Sequence, residues 1–96
     1  MGASNNRVSI DHIANLMNKV TYKCERIGHT TTTTCYAYLD DFHVGHGDSG
    51  CVDPGNFNYD LGKKFAKKRA YSDAYNNLWE LEGYLLKVTG RLSTDF

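Results

Sequence analysis

The cysteines and histidines are the side chains best suited to covalent or metal chemistry, and their spacing argues against both. Cys35 or Cys51 with His43 or His46 would supply a thiol and a base. A nucleophilic cysteine needs a lowered pKa and a base within hydrogen-bond reach, and the sequence signals neither. The pattern reads more simply as small buried thiols and strand histidines. No Ser-His-Asp order, nucleophile elbow or glycine-rich phosphate loop is present, so no catalytic residue is assigned and the chain reads as a non-enzyme. Zinc takes four ligands, usually as two close pairs. His43-x-x-His46 is one such pair, but on a regular strand its members face opposite sides, and there is no Cys-x-x-Cys. No metal or other cofactor is expected.

Binding chemistry has better candidates. Cys51-Val52-Asp53-Pro54-Gly55-Asn56-Phe57-Asn58 holds the only proline of the chain, two asparagines, an acid and an aromatic ring. Each has a local role available: Asp53 in an Asx turn, Pro54 stiffening the turn, Asn58 as a helix N-cap, Phe57 as a hydrophobic staple. The same stretch also makes a rigid loop at a helix N-terminus, a natural anion site. Phe57 or Tyr59 would then stack on a base and Asn56 would read polar edges. Lys63-Lys64 and Lys67-Lys68-Arg69 form the only basic cluster. It reads as a solvated helix face or as a phosphate-facing patch, in which Arg69 can make a bidentate contact that lysine cannot. The candidate ligand residues are therefore Asp53, Asn56, Phe57, Tyr59 and Arg69.

The elements that must position these residues are constrained by size and composition. Ninety-six residues make one domain with a modest core. Eleven basic residues balance eleven acidic ones, so there is no bulk attraction to nucleic acid or anionic membrane, and neither is expected as a partner. No apolar run is long enough to span a bilayer and no signal peptide is evident. The three cysteines, with no secretion signal, read as reduced thiols. Seven tyrosines, four phenylalanines and one tryptophan in a neutral chain favour aromatic surface for packing, ligand stacking or self-association, and a homo-oligomer is expected.

Residues 1–8 are small and polar and are expected to fray. Ser9 caps a helix carrying Ile10, Ile13, Met17 and Val20 at helical spacing, ending near Asn18. From Val20 to Ile27 the period becomes two. Gly28-His29 turns the chain, and Thr30 to Leu39 form a second strand led by five threonines. Asp40-Asp41 is a tight turn into a third strand, Phe42 to Gly47, whose glycines signal a bulge or close backbone approach. Asp48 to Asn58 is a long connection. A helix then runs from about Tyr59 to Val88, capped by Asn58, with Asp60 in its first turn and Gly90 as its stop. Leu61, Phe65, Leu78, Leu81 and Leu85 make an apolar stripe. Gly62, Ala66, Ala70 and Ala74 make a flat face that allows close approach of a sheet or helix. So long a helix is expected to break near Asn76-Asn77 or Gly83. Trp79 and Tyr84 read as core or oligomer interface. Glu82, if buried, needs a partner, such as a loop 51–58 amide or a threonine hydroxyl. The fold class is α+β: a short N-terminal helix, a three-stranded antiparallel meander, and a long C-terminal helix, with its expected break, packed on the sheet.

Several of these residues recur as an ordered series: Thr31 to Cys35; Phe42, Val44 and Gly45; Ser49-x-Cys51-Val52-Asp53-Pro54-x-Asn56-Phe57; Leu61-Gly62; Ala66 and Ala70; and Trp79-x-Leu81-Glu82-Gly83-Tyr84-Leu85-Leu86. The series resembles the small tailed-phage gene 49/gene 66 protein family over roughly residues 20 to 88. Asp40-Asp41, Gly50 and the third-strand histidines depart from the family pattern, and the N-terminal helix lies outside the resemblance. The resemblance implies a phage or prophage origin and action in the host bacterial cytoplasm. The family is in turn similar in architecture to phage Thoeris anti-defence proteins, oligomers that sequester a nucleotide-derived immune signal. This implies a counter-defence protein that binds a cyclic ADP-ribose isomer or cyclic oligonucleotide without catalysis. The alternative is a small phage protein that inhibits a host defence protein directly.

Overall fold

The computed structural model describes residues 7–96, so most of the segment expected to fray lies outside the described residues; Val8, at its end, is half-buried against the core. Helix α1 spans Ile10–Met17 and is capped by the Ser9 hydroxyl, which accepts from the His12 amide at 3.0 Å. Strands β1 (Val20–Arg26), β2 (Thr32–Leu39) and β3 (Phe42–Gly50) form an antiparallel meander with β2 central. A single 3-10 turn, Pro54–Asn56, interrupts the loop before helix α2, Tyr59–Thr89.

Both ends of α2 follow their local chemistry. The Asn58 side chain accepts from the Leu61 amide at 3.1 Å, and Gly90 closes the helix in the left-handed conformation at φ 75°. The expected break is absent: α2 is continuous over 31 residues. Asn77 is retained because its amide donates to the Val44 carbonyl at 2.8 Å, and one glycine at Gly83 costs a helix only about 1 kcal/mol.

The face of α2 that meets the sheet is the small one. Ala66, Ala70, Ala74, Leu78 and Glu82 are buried, while Leu61, Phe65 and Leu81 are 46–50% exposed. Of the apolar stripe only Leu78 joins this buried face, which is otherwise built from four-residue steps of small side chains and ends on Glu82. Small residues win because the opposing strand also lacks side chains. A Cβ on Gly47 would lie 2.4 Å from the Ala70 nitrogen, and one on Gly45 2.6 Å from the Ala74 nitrogen. Helix and strand thus touch backbone to backbone. Ile13, Leu16, Met17, Val20, Cys35, Ala37 and Val44 complete the buried cluster.

This contact also protects the open edge of β3. Along α2, Arg69, Asp73 and Asn77 recur every four residues, and along β3 their partners recur every two. Arg69 donates to the Asp48 carbonyl at 2.7 Å, the His46 amide donates to Asp73 at 2.9 Å, and Asn77 donates to the Val44 carbonyl. Four helix residues rise about 6.0 Å and two strand residues about 6.6 Å, so the two repeats stay in step over this length. Unpaired edge groups are a template for aggregation, and these side chains occupy them.

Two sequence expectations are corrected by strand register. Cys24 lies directly opposite Cys35, with Cα atoms 4.0 Å apart, and the two form a disulfide; Cys51 alone is a free thiol. The odd count concealed a cross-strand pair that only the register brings together. Replacing both by alanine is expected to lower stability by about 2–3 kcal/mol, the usual worth of a short disulfide loop. The check is a denaturant midpoint, and the reductant-treated parent should move towards the variant. Second, His43 and His46 do not face opposite sides. The β2–β3 register shifts between Ala37 and Tyr38, leaving Val44 as an extra residue. The bulge restores both histidines to one face, with ring centroids 6.0 Å apart, beside Tyr36 and Tyr38.

Candidate functional site

The loop between β3 and α2 encloses one side of a cavity of about 300 Å³. Its walls are Phe57, Leu61 and Phe65, with Thr31, Asn56 and Asn58 as polar members, and Ser49 to Val52 with Gly62 complete it. The exposed members of the apolar stripe thus have a location: Leu61 and Phe65 are one wall. A mostly apolar concavity with a few placed polar groups is the usual form of a small-molecule site.

The loop is held by its own side chains. Asp53 accepts from the Gly55 amide and from the Asn56 side-chain amide, both at 2.9 Å. Pro54 begins the 3-10 turn, and the Thr31 hydroxyl donates to the Cys51 carbonyl, tying the loop to the start of β2. Phe57 precedes the N-cap but is no staple, because the position that would meet it on α2 is Gly62. Its ring instead packs under the Arg26 guanidinium, 4.1 Å from the ring centroid. Arg26 is itself fixed by donating to the Thr30 carbonyl at 2.6 Å. The stack places a cation at the back of the ring that lines the cavity.

Of the five candidate ligand residues, the cavity gathers Asn56 and Phe57. Asp53 is occupied by the turn. Tyr59 donates from its hydroxyl to the Cys24 carbonyl at 3.2 Å, which places it towards β1. Arg69 belongs to the edge contact with β3. Arg26, Thr31, Leu61 and Phe65 are not among the ligand residues read from the sequence. Arg26 and Thr31 lie on the β1–β2 side, more than 25 residues before Phe57, so no local pattern joins them to the loop.

The remaining chemistry-bearing groups are separated. Cys35 is spent in the disulfide, and the Cys51 thiol points back to the Asp53 carbonyl at 3.1 Å. His46 is five residues away along β3, about 17 Å of extended chain. Among the described residues no cluster of three or more His, Cys, Asp or Glu side chains is arranged to hold a metal ion.

Residues 8–89 match the model of the Phage protein (N4 Gp49/phage Sf6 gene 66) family. The chain belongs to this family. The match begins before α1, so the N-terminal helix is part of the family's extent and not an addition outside it. No curated protein and no solved structure matches the chain. No helix among the described residues is long and apolar enough to cross a membrane.

Glu82, within the Trp79–Leu86 run, is explained by the fold. It is 4% exposed, and a single carboxylate oxygen receives three hydrogen bonds: from His12 Nε2 at 2.6 Å, the Ser93 amide at 3.0 Å and the Ser93 hydroxyl at 2.8 Å. Its partners are therefore α1 and the chain beyond α2, not the 51–58 loop or a threonine. Burial pushes the Glu82 carboxyl up. The hydrogen bonds from His12 and Ser93, with the charge of His12, outweigh burial and hold it below its ordinary value.

Proposed function

We propose that this phage protein acts by binding without catalysis, sequestering a nucleotide-derived immune signal of the host, a cyclic ADP-ribose isomer or a cyclic oligonucleotide, in the host bacterial cytoplasm. The observation that carries the reading is the cavity beside loop 51–58, where an aromatic ring backed by a guanidinium adjoins asparagine and threonine groups. Its volume suits a base with its sugar. Phe57 and Phe65 offer ring surface, Asn56 and Thr31 offer edge contacts, and Arg26 favours a ligand bearing negative charge. The helix N-terminus itself is a weaker anion site than its position suggests, because Asn58 caps it and Asp60 already complements its dipole.

Isothermal titration calorimetry against cyclic oligonucleotides and ADP-ribose isomers tests the proposal. At least one member should bind the parent, and Phe57→Ala should weaken it by about tenfold or more, since stacking contributes about 1–3 kcal/mol per base. No heat from any member with folded protein would remove the reading. The second reading, direct inhibition of a host defence protein, draws on a different surface. Tyr84 and Val88, one turn apart on α2, are 70% and 57% exposed, more apolar area than a solvated helix end needs. Recovery of one stoichiometric host protein, with no nucleotide binding, would favour it. The same surface also suits self-association, consistent with a homo-oligomer.

A further inference from the structure

The flank of α2 facing β1 carries a second concavity, about 530 Å³, bounded by Lys64, Lys67, Lys68, Tyr71, Tyr22 and Met17. It shares no lining residue with the loop cavity, which opens beside the end of β3. The basic run read from the sequence divides here. Arg69 turns towards Asp48 on β3, while the three lysines turn the other way and share one groove.

Three features of the groove favour an anion. Positions 64, 67 and 68 are spaced i, i+3 and i+4, which makes neighbours of like charges and is destabilising on an isolated helix. Among the described residues the ion pairs are His12–Glu82 and His46–Asp73, so none of the three lysines has a carboxylate within 4.0 Å. Lys67 is also not free to wander, because its ammonium lies 5.0 Å from the centroid of the Tyr22 ring. The two tyrosines supply ring surface beside the charges. Burial, then the neighbouring Tyr71, push the Tyr22 hydroxyl up, so it stays a neutral hydrogen-bond donor at neutral pH.

We infer that this groove is a second ligand site, which takes a nucleotide carrying two or more phosphates, with the phosphates on Lys64, Lys67 and Lys68 and the base against Tyr71. Three ammonium groups along one groove suit adjacent phosphates and exceed the need of one carboxylate. Neighbouring aromatic surface favours a ligand with a ring over inorganic phosphate. The site goes beyond the proposed function, because it shares no residue with the loop cavity.

The test uses the full chain with ADP, pyrophosphate and adenosine as probes, followed by calorimetry at two salt concentrations. ADP should bind more tightly than pyrophosphate, adenosine should bind poorly, and added salt should weaken ADP. Lys67→Ala/Lys68→Ala should weaken ADP about tenfold or more, in line with loss of charge-assisted hydrogen bonds, with the circular dichroism of the folded protein retained. Tyr71→Ala should reduce ADP to the affinity of pyrophosphate without altering pyrophosphate itself. No binding of ADP to folded protein would overturn the inference, as would ADP binding indifferent to the lysine pair. Tighter binding of a single-stranded oligonucleotide than of ADP through the same lysines would overturn the assignment to a free nucleotide. Failure here leaves the loop-cavity ligand untouched, and the lysine variant should still bind any cyclic nucleotide that Phe57→Ala loses.

Discussion

Gly47→Ala is expected to destabilise the fold by about 3 kcal/mol, more than an added methyl usually costs in a core. The new Cβ would lie 2.4 Å from the Ala70 nitrogen, 2.6 Å from the Ala66 carbonyl oxygen and 2.6 Å from the Arg69 Cβ. Two of these are helix backbone, which cannot rotate aside, so α2 must lift from β3 by about 1 Å. Lifting it stretches the Arg69, Asp73 and Asn77 contacts along the strand edge and shifts Leu61 and Phe65, one wall of the loop cavity. Gly50→Ala is the matched control: it lies on the same strand, and a Cβ there meets nothing within 4 Å. Urea midpoints should fall sharply for Gly47→Ala and barely move for Gly50→Ala. Equal effects would show that helix and strand do not approach as closely as described.

Glu82→Ala should cost a similar amount, about 3 kcal/mol, because it strands the groups that a buried carboxylate was holding. His12 would lose its partner at 2.6 Å, and Ser93 would lose the acceptor of both its amide and its hydroxyl. The loss should be felt at both joints, α1 to α2 and α2 to the C-terminal turn. Its pH dependence follows from the lowered carboxyl. A group more acidic when folded than its ordinary 4.5 adds stability that is complete above that value. The addition is lost as pH falls through 4.5 and below, where the folded carboxyl takes up its proton. Glu82→Gln keeps the shape and lacks this titration. Unfolding free energies measured between pH 6 and pH 3 should therefore converge for the parent and Glu82→Gln at the acid end. A gap that widens as pH falls would contradict the role given to Glu82.

Much of the fold was legible where the cause is local. Asn58 as cap, Gly90 as stop, Asp40-Asp41 as turn and the threonine-led strand all follow from the chemistry of neighbouring residues. The four-residue spacing of Gly62, Ala66, Ala70 and Ala74 announced a close approach, and Gly45 and Gly47 supplied the surface it needed. What was not legible depends on residues distant in sequence. Cys24 and Cys35 meet only through register. His43 and His46 share a face only because one extra residue at Val44 reverses the parity of β3. Glu82 finds His12 seventy residues away. The apolar stripe divides in a way the sequence does not show: Leu78 joins the core, while Leu61 and Phe65 line a cavity. The loop was legible as a rigid turn, but Arg26 and Thr31 reach it from the far side of the sheet.

The claim that this phage protein acts by holding a ligand intact is tested most directly by recovery. The protein is loaded with each ADP-ribose isomer and cyclic oligonucleotide in turn, freed of unbound ligand by filtration, denatured, and the released material chromatographed. The account predicts one ligand returned unchanged and close to stoichiometric with the protein, and much less from Phe57→Ala. Loss of the ligand to a new product would contradict binding without catalysis, and retention of no ligand by folded protein would contradict the site.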